Sequence, residues 1–118
     1  MQENTTRLSI STDVIEKMTE IATTEIEGVA GIAKKALDLH TVVKNRSAFK
    51  GVKVESINGA VSITVYIVVK KDVKVNEVAE AVQENIKEKV QTMTGTAVTK
   101  VNVVVSDIDT KDPELIED

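Results

Sequence analysis

GVKVESINGAVSITVYIVVK, residues 51–70, is the stretch whose reading decides the fold. Asn58-Gly59 at its middle is the preferred pair for a two-residue hairpin turn, whose central residues must adopt positive φ. After the turn, Val61, Ile63, Val65, Ile67 and Val69 fall on one face, and Ser62, Thr64 and Tyr66 on the other. Such alternation belongs to a sheet that is buried on one face and wet on the other. The pattern predicts two antiparallel strands over 51–57 and 60–70, the second ended by Lys70-Lys71-Asp72.

Towards the C-terminus the period changes from two to that of a helix. Val75, Val78, Ala79, Val82, Ile86, Val90 and Met93 line one side, Glu77, Glu80, Glu84 and Glu88 another, and Gly95 supplies the stop. A strand over 98–106 then sets Val101, Val103 and Val105 on a single face. Towards the N-terminus, 8–10 reads as a short edge strand, and Ser11 or Thr12 offers a hydroxyl cap. Val14, Ile15, Met18, Ile21, Ala22 and Ile26 recur at helical spacing, with Asp13 and Glu16 in the first turn and Gly28 as the stop. Residues 33–40 could add two helical turns, and 41–50 reads as a polar surface loop. The order is β-α-(α)-β-β-α-β, an α+β two-layer sandwich with a mixed sheet of about four strands and two long helices packed on one face. If the strands flanking the second helix are parallel neighbours, their connection is a right-handed crossover. One domain spans 1–118, with its core at about 8–108 and an acidic flexible tail at 109–118.

Composition agrees with this reading and excludes several functions. Among 118 residues there are 20 Val and 11 Ile against 4 Leu, a β-branched bias that favours a sheet carrying helices over a helical bundle. With no Cys, thiol catalysis, disulfide scaffolds and thiolate zinc sites are excluded. With 2% aromatic residues, the platforms that stack single-stranded bases are nearly absent. The N-terminus lacks a basic segment followed by an apolar one, and the longest apolar run, 65–69, is too short to span a bilayer. The expectation is a cytoplasmic protein that does not insert into the membrane.

No catalytic, metal-binding or cofactor-binding residue is expected. His40 is the only His, has no acid-base partner nearby in sequence, and reads as a surface residue. The glutamates at 77, 80, 84 and 88 read as the solvated side of an amphipathic helix. Asp107, Asp109 and Asp118 imitate the start and end of a calcium loop, but Lys111 and Asp112 stand at its fifth position and its glycine position. Neither a nucleophile elbow nor a phosphate-binding loop is present.

Charge is more informative. From Lys34 to Lys53 six basic residues meet one acid, Asp38, so this stretch carries +5. The whole chain carries −4, so the remainder carries −9. A basic patch on an acidic protein points to a defined anionic partner. Lys34, Lys35, Lys44, Arg46, Lys50 and Lys53 are the candidate interaction patch, for an acidic protein or anionic lipid head groups. The alternative is a KH-like single-stranded RNA-binding module, because Gly28-Val29-Ala30-Gly31 is a GxxG that follows a helix and precedes Lys34 and Lys35. Against nucleic acid stand Glu25 and Glu27 before the loop, no basic residue inside it, and an isoelectric point near 5.1. The exposed sheet edge is a second candidate surface, for self-association by strand addition.

One resemblance runs through nearly the whole chain, from about residue 8 to residue 108. Leu8-Ser9-Ile10-Ser11-Thr12-Asp13-Val14-Ile15, Glu25-Ile26-Glu27-Gly28-Val29-Ala30-Gly31, Gly51-Val52-Lys53-Val54, Val82-Gln83-Glu84-Asn85-Ile86-Lys87, Met93-Thr94-Gly95 and Val101-Asn102-Val103 occur in an order that resembles the alkaline shock protein, or Gls-type envelope stress response, family. The resemblance implies a non-enzymatic bacterial interaction or scaffold protein acting in cell-envelope homeostasis or stress response. It also implies a protein partner, such as a related membrane-anchored protein that holds it at the inner face of the cell membrane, and self-association. It implies no cofactor and assigns no functional residue.

Overall fold

The computed structural model describes residues 10–33 and 51–110. Their elements are α1 (Thr12–Thr24), β1 (Val29–Ile32), β2 (Val52–Ile57), β3 (Ala60–Lys70), α2 (Val75–Thr94) and β4 (Ala97–Asp109). β3 is the axis of a mixed four-stranded sheet. β1 and β2 both pair antiparallel with it, and β4 pairs parallel with it along its whole length. The β3-α2-β4 unit therefore has parallel neighbouring strands. The Asn58-Gly59 turn forms as expected, with φ of 52° and 81°.

Burial follows the alternation that the valines and isoleucines set. Along β3 every second residue from Val61 to Val69 is buried, and its intervening neighbours are half-buried on the other face. α2 lays Val78, Val82, Ile86 and Val90 on the buried face in a straight i, i+4 row. α1 adds Ile15 and Ala22 to the same core. Val52, Val29 and Val98 close it from the flanking strands, so both helices cover one sheet face. The expected α+β two-layer sandwich is the observed one.

Several local expectations change. Residues 29–32 form β1, whereas the sequence suggests only a helix stop leading to further helical turns. Four residues are too few for a period to show, and it is pairing with β3 that extends them: Val29 opposes Val69 and Ile32 opposes Ile67, with an irregularity between Val29 and Gly31. α1 starts from Ser11, whose Oγ accepts from the Val14 amide at 3.3 Å, and it ends at Thr24 rather than at Gly28. Gly28 instead occupies the turn into β1 at φ +104°, where a β-carbon would lie 2.7 Å from Val78 Cγ2. Gly95 does end α2, in the left-handed conformation. β4 continues to Asp109, past the expected end at Ser106. Ile10 is not in a strand and rests partly buried against the core. The rest of the 8–10 strand, the helical turns and loop over 34–50, and the tail over 111–118 lie outside the described residues.

Candidate functional site

β1 and β2 lie end to end along the same side of β3, and the junction between them is one residue. The Ala33 amide donates to the Tyr66 carbonyl at 2.8 Å, and the Tyr66 amide donates to the Gly51 carbonyl at 2.8 Å. Ala33 and Gly51, which flank residues 34–50 in sequence, are thus both pinned on Tyr66. Gly51 has φ +79°, and a β-carbon there would lie 2.4 Å from Ile32 Cγ2 and 2.5 Å from the Ala33 carbonyl oxygen. Only glycine accommodates that approach.

Of the candidate patch, Lys53 is the member within the described residues. It lies exposed on β2 and its Nζ is 3.7 Å from Glu55 Oε2, so its charge is already partly offset. Lys34, Lys35, Lys44, Arg46 and Lys50 lie outside the described residues, as does His40. The structure places their point of attachment, at Tyr66 on the edge formed by β1 and β2.

The GxxG reading is corrected. A clamp on phosphates needs a free loop, but Val29–Ile32 is a strand in register with β3, and the Gly28 carbonyl accepts from the Lys70 amide at 2.8 Å. Glu25, read as an obstacle to phosphates, joins the two helices instead. Asn85 Nδ2 donates to the Ala22 carbonyl at 2.8 Å and to Glu25 Oε1 at 2.9 Å, and Lys89 Nζ lies 3.3 Å from Glu25 Oε2. The Asn85 hydrogen bond is the main cause that holds the Glu25 carboxyl below its ordinary pKa, with Lys89 adding to it. Glu77, Glu80, Glu84 and Glu88 are all exposed, as a solvated helix face should be. Among the described residues no group of His, Cys, Asp or Glu could hold a metal, and no helix is long and apolar enough to cross a membrane.

At the opposite edge, α2 reaches over the start of β4. Gln91 Oε1 accepts from the Val98 amide at 3.1 Å, and Gln83 Nε2 donates to the Val101 carbonyl at 3.2 Å. A shallow groove of about 290 Å³ lies there, lined in part by Glu84, Lys87, Thr99 and Lys100. Its size is at the low end for a small-molecule site, and Val98 and Val101 are its apolar lining. These glutamine contacts carry no sequence signal, because i, i+8 polar residues flanking a helical stripe read as solvated.

The geometry defines a class, an open-faced two-layer α+β fold with two antiparallel segments, β1 and β2, at one sheet edge and a parallel strand, β4, at the other. Residues 1–110 match the family model of alkaline shock protein 23, described as having a cell envelope-related function, and the chain belongs to that family. It is 33% identical over 104 residues to protein Spy1614 of Streptococcus pyogenes serotype M6, covering 86% of each chain. It is also 33% identical over 115 residues to YqhY of Bacillus subtilis, covering 92% of this chain and 83% of that one. In fold it is similar to solved MamM CTD structures, with a TM-score of 0.60 at 14% identity over 83% of this chain and 98% of that chain. Copper and nickel forms occur among those structures, but at 14% identity the likeness is one of fold and carries no metal site across.

Proposed function

We propose that this chain is a non-catalytic interaction module of the cell envelope, working on the cytosolic side through protein-protein contacts, with the basic segment over 34–53 as its docking surface for an acidic protein partner. The observation that carries the reading is the pinning of Ala33 and Gly51 on Tyr66. Five basic residues and one acid lie between those two points in sequence, a locally basic stretch in an otherwise acidic chain whose two flanking residues share one sheet edge. The family's cell envelope-related function and the lack of a metal-holding group among the described residues support the same reading.

The test is a pull-down from lysate comparing the wild-type chain with the triple variant Lys44→Glu/Arg46→Glu/Lys50→Glu. A specific partner should be lost by the variant, and its retention by wild type should weaken as salt rises. An unchanged set of bound proteins would refute the basic docking surface. Binding of wild type to anionic but not neutral vesicles, with no protein lost from the variant, would replace the protein partner with a lipid surface.

A further inference from the structure

We infer that the outer edge of β4 pairs antiparallel with β4 of a second copy of this chain, about a two-fold axis that passes between the two Val104 residues. This goes beyond the reading above and does not rest on it, because it uses the sheet edge opposite Ala33 and Gly51. The argument starts with the backbone. In a strand the N–H and C=O of one residue point to the same side, and successive residues alternate. The Val101 carbonyl is turned away from β3 to meet Gln83. From Lys100 to Val105 the register with β3 runs without a break, so Val103 and Val105 turn their amides and carbonyls outwards as well. The two glutamines cover the outward groups at Val98 and Val101, and Asp107 Oδ1 accepts from the Ile108 amide at 2.8 Å further along; between them, among the described residues no strand pairs with the outward groups of Val103 and Val105.

Side chains then select the occupant and the register. Lys100, Asn102, Val104 and Asp107 oppose Ser62, Thr64, Tyr66 and Val68, so they lie on the sheet face that no helix covers. Val104 is 38% exposed at the middle of that row, with a cation on one side and an anion on the other. Antiparallel pairing brings Lys100 of each copy beside Asp107 of the other, whereas parallel pairing sets like charge on like. Setting Val104 against its own copy pairs each Val103 with the Val105 opposite. The result is four backbone hydrogen bonds and a close apolar contact at the axis, with both glutamine bonds left intact. A longer continuous sheet results, and the exposed strand edge is removed.

The chain has no cysteine, which permits a direct test. A residue on the two-fold of a non-hydrogen-bonded pair meets its copy at about 4.5 Å between α-carbons, within disulfide range. Val104→Cys should therefore form a covalent dimer under mild oxidation. Asn102→Cys, about 13 Å from its own copy in this register, should not. Without oxidant, wild type should sediment as a dimer, Val104→Glu and Val104→Lys each as a monomer, and their equimolar mixture as a dimer again. Circular dichroism of both variants should match wild type, since position 104 is on the uncovered face. A monomeric wild type, a dimer indifferent to Val104→Glu, or equal cross-linking at 102 and 104 would each overturn the assignment. Loss of partner binding in the Lys44→Glu/Arg46→Glu/Lys50→Glu variant would leave all these outcomes untouched.

Discussion

The amide of Asn85 reaches across sixty residues of chain to close the end of α1, and no local pattern announces it. By satisfying the Ala22 carbonyl it fills a helix-end acceptor that the C-terminal turn leaves open, and by binding Glu25 it favours the ionised carboxylate. A carboxyl whose folded pKa lies below its unfolded one releases its proton more readily in the native state. Its contribution is therefore complete above the ordinary value of 4.5 and is lost as pH falls through the folded pKa. The stability difference between wild type and Glu25→Gln should be constant from neutral pH down to about 5 and shrink below 4.5, measured by urea unfolding at a series of pH values. A difference that does not change with pH would remove Glu25 from the account. In the sequence Glu25 could be read only as a negative charge beside Gly28, because its partners come from α2.

Patterned elements were the legible part of the chain. The stripes on β3 and α2 follow from the spacing of valine and isoleucine, and the structure buries them where that spacing puts them. Two details escape the pattern. Met93 continues the α2 stripe in sequence but is 66% exposed, because the buried row advances by four residues, from Val90 to the half-buried Thr94, and leaves Met93 to one side. Ile86→Ala should cost about 2–5 kcal/mol, whereas Met93→Ala should stay within about 0.5 kcal/mol, as chemical denaturation would register. On α1 the buried row is Ile15, Thr19, Ala22 and Thr23, while Val14 and Ile21 face outwards. Small residues fill that row because α1 must pack against α2 as well as the sheet. The Thr19 hydroxyl donates to the Ile15 carbonyl at 2.8 Å and so enters the core satisfied, whereas the buried Thr23 hydroxyl has no partner among the described residues. Hydrophobicity alone ranks valine and isoleucine above threonine, and so misplaces the helix by a fraction of a turn.

At the scale of the whole molecule, one long strand organises everything else. β3 takes two separate antiparallel segments on one side and a parallel strand on the other. The two segments meet at Gly51, and Gly51→Ala should destabilise the fold by at least about 2 kcal/mol through strain and backbone collision. Gly31 has nothing within 4 Å of a β-carbon, so Gly31→Ala should be neutral or slightly stabilising when both variants are compared in thermal melts. Equal sensitivity at the two positions would mean that the junction on Tyr66 does not limit stability. The sequence by itself determined the hairpin at Asn58-Gly59, the two helices, the final strand and the α+β class, because each is written in a period or a turn that neighbouring residues supply. It also determined the family and the uneven charge. Only the tertiary structure decided that 29–32 is a strand and that Asn85 and Glu25 join the helices. It alone also placed Ala33 and Gly51, which flank the basic segment in sequence, and the outward groups of β4 at opposite edges of the sheet. Those facts depend on pairing between segments far apart in the chain, and a strand of four residues or a single polar side chain carries no local signal of the neighbour it will find.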